Sequence, residues 1–259
     1  MDFRGTALPL STAGLNAALA VLAVPAPEIW TVIAVETGGC GFLADRRPVI
    51  LFERHIFHRR TSGAFDASHP GISNPTSGGY LGGAREYDRL AEAVALDRAA
   101  ALESASWGIA QIMGFNAAAA GFSFAEAMVA AMMSDEDAQV KGLATFLRSK
   151  TLDVPLAAHD WVAFATGYNG ADFAKNQYDQ RLAAAFRQFS AGPLPDLLIR
   201  QAQVLLMFLG ISPGRIDGIT GKRTKSAVVR FRQQHGLPSS DQIDAALIAL
   251  LTAAVGSLP

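Results

Sequence analysis

The chain has 259 residues, half of them hydrophobic, with 22 basic and 23 acidic side chains and a formal net charge of −1. That length fits one large domain, or a medium domain followed by a small one, and the near-neutral balance gives no reason to expect a nucleic acid or an anionic membrane as partner. Cys40 is the single cysteine, which excludes an intramolecular disulfide and a fold that depends on oxidation.

Alanine is abundant and β-branched runs are few, so a mainly helical chain is expected. The apolar segment 8–24 is too short to span a membrane. Its charged start is poor for a secretion signal, because Asp2 offsets Arg4. We read it as a buried helix over 12–23, capped by Ser11 or Thr12 and broken by Pro25 and Pro27. A second helix over 27–36 stops at Thr37-Gly38-Gly39. A turn at Asp45-Arg46-Arg47-Pro48 and the apolar run Val49-Ile50-Leu51-Phe52 predict a short strand or hairpin within 41–57. Residues 61–83, rich in Gly, Ser, Pro and Asn, read as a long loop that lines a groove. Helical spacing then resumes over 84–104, 106–119, 123–132, 134–150, 158–168 and 172–189. Ser190-Ala191-Gly192-Pro193-Leu194-Pro195 reads as a linker, which divides the chain into 1–190, 191–195 and 196–259.

The last part predicts three helices, over 196–209, 222–235 and 241–253, with Leu205, Phe208, Leu209, Val228, Val229 and Phe231 as their core. Its seven basic and four acidic residues give it a net charge of +3, against −4 for the rest, a difference too small to name a partner. In the loop Asp217-Gly218-Ile219-Thr220-Gly221 the glycines permit tight backbone angles and Asp217 can bond local amides. Gln203, Asp217, Gly218, Gly221, Thr224, Ala227, Phe231, Gly236 and Leu237 follow the pattern of the three-helix peptidoglycan-binding domain, which this segment closely resembles. It departs from that pattern at Arg232, where the family usually has Gln. The resemblance implies attachment to the cell wall, without saying which residues touch glycan or peptide.

Glu36 lies at a predicted helix C-terminus, where the helix dipole disfavours a further negative charge. Trp30, Val32, Ile33 and Val35 around it would desolvate the carboxyl. Both effects raise a carboxyl pKa, as a general acid for glycoside cleavage requires. Many helices end in Glu, so the residue alone carries little. Its company carries more: Ser106-Trp107-Gly108-Ile109-Ala110-Gln111 and Tyr168-Asn169 follow it in the order of three signatures of the lysozyme and lytic transglycosylase superfamily. The strings LFERHIFH at 51–58, Gly78-Gly79-Tyr80 and Glu86-Tyr87-Asp88-Arg89-Leu90 narrow the resemblance to the phage-type N-acetylmuramidase domains of modular endolysins, over residues 10–190.

That resemblance implies a mainly α, lysozyme-like catalytic domain with a small β-hairpin or short strands, and hydrolysis of the β-1,4 bond after N-acetylmuramic acid. It implies Glu36 as the acid and no cofactor. Glu53, 17 residues on, is the second candidate carboxylate, to activate water or stabilise an oxocarbenium-like transition state. The alternative is that Glu53 pairs with Arg54 or another basic side chain as a brace. Asp45 is a weaker candidate, on a loop. Ser106, Gln111, Tyr168 and Asn169 are expected to bind acetamido sugars or to brace the cleft, and Tyr168 also to bond the acid carboxyl.

Glu103 is read as structural, Trp107 as core, and Cys40 as a small buried residue without a task. His55 and His58 have a metal-like H-x-x-H spacing but no further ligands beside them, so no metal is expected. A monomer acting on peptidoglycan is expected, made in the cytoplasm and reaching periplasmic wall after release or secretion. A phage or prophage endolysin is the first reading. A lytic transglycosylase forming anhydromuramic ends, a secreted anti-bacterial effector and a non-catalytic wall-binding protein are the alternatives.

Overall fold

The first two helices exist as separate elements because prolines part them. In the computed structural model, which describes residues 3–258, the Ser11 side chain accepts from the Gly14 amide to start α1 (Thr12–Leu22), and Pro25 precedes α2 (Ala26–Thr37). The pair is bent by 106°, and no single helix among the described residues is long and apolar enough to cross a membrane. α1 buries Leu15, Ala18 and Leu22, and Ser11 beside it bonds Asp137 through both amide and hydroxyl. One face of the segment 8–24 is therefore packed into the core, while Leu8 and the opposite face of α1 stay exposed, so the buried helix expected from the sequence is buried on one side only. α2 buries residues on nearly every face, among them Ile29, Trp30, Val32, Ile33 and Val35. Its C-terminal end carries Glu36 out of that core.

Residues 41–49 form a tight hairpin, with Leu43 N–H to Arg47 O and Val49 N–H to Gly41 O. β1 (Ile50–Phe52) follows and pairs antiparallel with β2 (Ala105–Trp107), which pairs antiparallel with β3 (Ile112–Met113). In strands, side chains alternate between faces. Ile50, Phe52, Ala105 and Trp107 are all buried in the core, while Leu51, Ser106 and Met113, in register across the sheet, line a groove.

Two expectations fail in this region. The helix expected over 106–119 is absent: residues 105–113 are the β2–β3 hairpin, with a single 3-10 turn at Gly114–Asn116. The turn between the strands uses positive φ at Gly108 (+70°) and Gln111 (+50°), which an α-helix forbids. The helix expected over 84–104 is broken in two, α4 (Glu86–Leu96) and α5 (Arg98–Glu103). Asp97 between them is extended and caps the second through the Ala100 amide. A short helix, α3 (Arg54–Arg60), follows β1 within the segment read as strand or hairpin.

Then come α6 (Ala125–Ser134), α7 (Glu136–Ser149), α8 (Asp153–Ala157), α9 (Trp161–Asn169) and α10 (Tyr178–Ala191). α7 packs on α1, and α10 on α2. Beyond residues 192–196 stand α11 (Leu197–Phe208), α12 (Lys222–Gln234) and α13 (Ala245–Gly256). They enclose Leu205, Phe208, Val228, Phe231, Leu247 and Leu251. Gln203 is fully buried and ties the 217–221 loop to α11. Its Oε1 accepts from the Asp217 and Gly218 amides, and its Nε2 reaches Asp217, Ile219 O and Thr224.

The C-terminal bundle does not hang free. Ala7, Cys40 and Phe42 from the N-terminal part are members of its apolar core. Arg200 of α11 is buried and donates twice to Gly39 O, at 3.0 and 2.6 Å. It also pairs with both oxygens of buried Glu136, at 2.5 and 2.7 Å. Glu136 in turn accepts from the amides of Leu10 and Gly41. Every strong acceptor site of this buried pair thus has a partner, the condition under which burying two charges is tolerable. Gly39, at φ +107°, has no room for a side chain: a Cβ there would lie 2.4 Å from Ile216 O. The thiol of Cys40, buried beside Glu136, is pushed up to about 12 by desolvation first and by that carboxylate second, so it stays protonated and unreactive.

Candidate active site

The groove beside the sheet has a volume of about 370 Å³ and is lined by Glu36, Leu51, Glu53, Ser106, Gln111, Ile112, Met113, Asn116, Phe146, Tyr168 and Asn169. All six residues singled out from the sequence therefore meet in one place, though they span positions 36 to 169.

Glu36 enters from the end of α2, just before Gly38 turns the chain at φ +68°. The Thr37 hydroxyl donates to Ile109 O at 3.0 Å and ties the helix end to the sheet turn. Desolvation raises the Glu36 carboxyl from the usual 4.5 to about 7, against the opposing pull of a hydrogen bond from Tyr178 and the positive charge of Arg181. The Tyr178 hydroxyl donates to Glu36 Oε1. Arg181, one turn further along α10, donates to Val35 O at 2.6 Å. Neither residue was found from the sequence. The expected bond from Tyr168 to the acid is not present: the Tyr168 hydroxyl donates to Ala110 O at 2.6 Å. Its ring is stacked parallel to that of Tyr178, with centroids 6.3 Å apart, so Tyr168 supports the tyrosine that holds the acid.

Glu53 stands where β1 gives way to α3. The hydroxyl of Tyr80, from the loop 61–82, donates to both of its oxygens, at 3.1 and 2.9 Å. His55 Nδ1 lies 3.1 Å from Glu53 Oε2 without the geometry of a hydrogen bond. Arg54, the brace anticipated for Glu53, turns away to the carbonyls of Thr76 and Ser77. Burial and the neighbouring carboxylate raise Tyr80 from 10.0 to about 12, so it remains a donor at neutral pH.

Gln111 makes the brace that the sequence allowed as an alternative to sugar binding. Its Oε1 accepts from the Ser106 hydroxyl at 2.8 Å, and its Nε2 donates to Val49 O and Gly108 O. Asn169, exposed at the end of α9, faces the groove. Of the residues set aside from the sequence, Trp107 is buried, with its indole N–H on Leu102 O. Glu103 pairs with Arg60 at 3.1 Å. Asp45, the weaker candidate for the second carboxylate, pairs with Arg47 at 2.6 Å and is not among the residues that line the groove. His58 pairs with Asp66 at 2.8 Å.

An acid at a helix end and a second carboxylate, in one groove beside a small sheet in a helical fold, define the class: a lysozyme-like glycoside hydrolase. Residues 25–190 match the N-acetylmuramidase family, and residues 196–251 match a peptidoglycan binding domain. The chain belongs to the N-acetylmuramidase family. It is similar in structure to the Burkholderia AP3 phage endolysin, with a TM-score of 0.64 and 41% identity over 70% of this chain and 71% of that one. Curated proteins provide no match. The protein is thus a peptidoglycan hydrolase with a catalytic part and a wall-binding part.

Proposed function

We propose that the protein hydrolyses the β-1,4 bond between N-acetylmuramic acid and N-acetylglucosamine, with Glu36 as general acid and Glu53 as the second carboxylate. The observation that carries this reading is Glu36 itself: a groove-facing carboxyl raised to about 7 and held at one oxygen by Tyr178. At neutral pH a large fraction of such a group retains the proton that the leaving glycosidic oxygen must receive. Glu53 is kept in place by Tyr80 and opens on the same groove. There it activates water or stabilises the oxocarbenium-like transition state. Ser106, Gln111, Tyr168 and Asn169 form the sugar-facing wall, the first three of them fixed by their own hydrogen bonds.

Residues 1–190 act as the catalytic domain, 191–195 as the link and 196–259 as the wall-binding domain, in a monomer. The similarity to a phage endolysin supports an endolysin role, with periplasmic peptidoglycan as the substrate after release from the cytoplasm. Mass spectrometry of digested peptidoglycan tests the bond and the outcome together. Reducing N-acetylmuramic ends, lost in Glu36→Gln, are expected. Anhydromuramic ends, or reducing N-acetylglucosamine ends, would overturn the assignment.

A further inference from the structure

A second hollow lies along the helix that follows Glu53. From its N-cap Glu53, helix α3 presents Ile56 and Arg60 at the i+3 and i+7 positions, on the same face. These residues, with Arg59 and Phe115, line this hollow of about 360 Å³. That is the lower end of the size range of small-ligand sites, roughly 300–1,000 Å³. Phe115 adjoins groove-lining Asn116 in the chain, and groove-lining Glu53 is the N-cap of α3, so the same two chain segments contribute to both hollows.

The second hollow has its own chemistry. Phe115 is 40% exposed, a large apolar ring facing solvent. The Arg60 guanidinium lies 5.3 Å over that ring and pairs with Glu103 at 3.1 Å. Arg59 is exposed and has no acidic partner among the described residues. One uncompensated guanidinium beside an apolar floor of Ile56 and Phe115 suits a ligand that alternates small apolar groups with carboxylates.

Resting on the muramidase reading, we propose that this hollow receives the acidic stem peptide carried by the muramic acid of the substrate, with Arg59 binding a peptide carboxylate. The reach agrees. Six helical residues from Glu53 to Arg59 cover about 9 Å, and an extended peptide spans about 10 Å in three residues. A peptide branching from a sugar bound at the carboxylates therefore arrives at Arg59 with its second and third residues, where its acidic groups lie. Ile56 and Phe115 pack the methyl groups between them.

The test compares soluble, uncross-linked glycan strands carrying stem peptides with the same strands stripped by an amidase, counting reducing ends. For Arg59→Ala the ratio of the peptide-bearing rate to the stripped rate is expected to fall about tenfold relative to wild type, through KM, the scale of one lost charge-assisted bond. Arg59→Lys should retain most of the ratio. A ratio unchanged in Arg59→Ala, with the thermal midpoint also unchanged, would overturn the subsite and leave the muramidase reading standing. Wild-type protein that releases no reducing ends from either substrate would instead overturn that reading, and this inference with it.

Discussion

Glu36→Gln should change how the stability of this protein depends on pH. Burial lifts the carboxyl from the usual 4.5 to about 7, so ionising it in the folded protein costs about 3 kcal/mol more than in the unfolded chain. Between pH 4.5 and 7 the folded state holds a proton that the unfolded chain has already released. Stability from this group therefore falls as pH rises through that window and levels off above about 7. A glutamine at this position has no such proton. The unfolding free energy of the variant, relative to wild type, should thus increase by about 3 kcal/mol from pH 4 to pH 8, whatever constant offset the altered Tyr178 contact adds. Urea denaturation of both proteins at unit pH intervals measures this directly. Curves that run parallel across the whole range would refute the claim that burial has raised this carboxyl.

Other outcomes follow from the same geometry. Wild-type hydrolysis should decline above about pH 7 as Glu36 loses its proton. Tyr178→Phe, which removes a bond that favours the ionised acid, should move that limb of the pH–rate profile upward while lowering kcat. Glu53→Gln should cost at least about 100-fold in kcat if that carboxylate activates water or offsets transition-state charge, measured as reducing ends from soluble glycan strands. Arg200→Met strands Glu136 and Gly39 O without their cation. It should destabilise the full chain by about 3–5 kcal/mol, with part of the loss recovered when Glu136→Gln is added, as read from urea midpoints.

The Arg200 contacts also bear on how the two parts work together. The turn that follows the acid, residues 38–41, is held from behind by the wall-binding part through Arg200, Ile216 and the shared apolar core. The C-terminal bundle is here a support of the turn that follows Glu36. Gly39 is required twice over, for its positive φ and for the close approach of Ile216 O.

Much of the site was legible in the sequence because its parts are local. An apolar helix ending at Thr37-Gly38 places Glu36 at a helix terminus through the chain's own periodicity and the conformational freedom of glycine. The Asp217–Gly221 loop and its Gln203 tie belong to a pattern contained within a few turns. What local spacing does not contain is the partner across space. Tyr178 is 142 residues from Glu36, and Arg200 is 161 from Gly39. Two tyrosines ten residues apart, Tyr168 and Tyr178, cannot be told apart as donors to the acid until α9 and α10 are packed. The segment 106–113 has enough apolar residues for a helix, yet it becomes a hairpin because Ser106 and Trp107 find backbone partners on β1, 55 or more residues earlier. Periodicity and turn chemistry determined most of the helices and the faces they bury, while the hairpin at 105–113 was decided by its pairing with β1. Which hydroxyl holds the acid, and which cation holds the turn behind it, depended on how those faces came together, because a hydrogen bond is made or missed over about an ångström of tertiary placement.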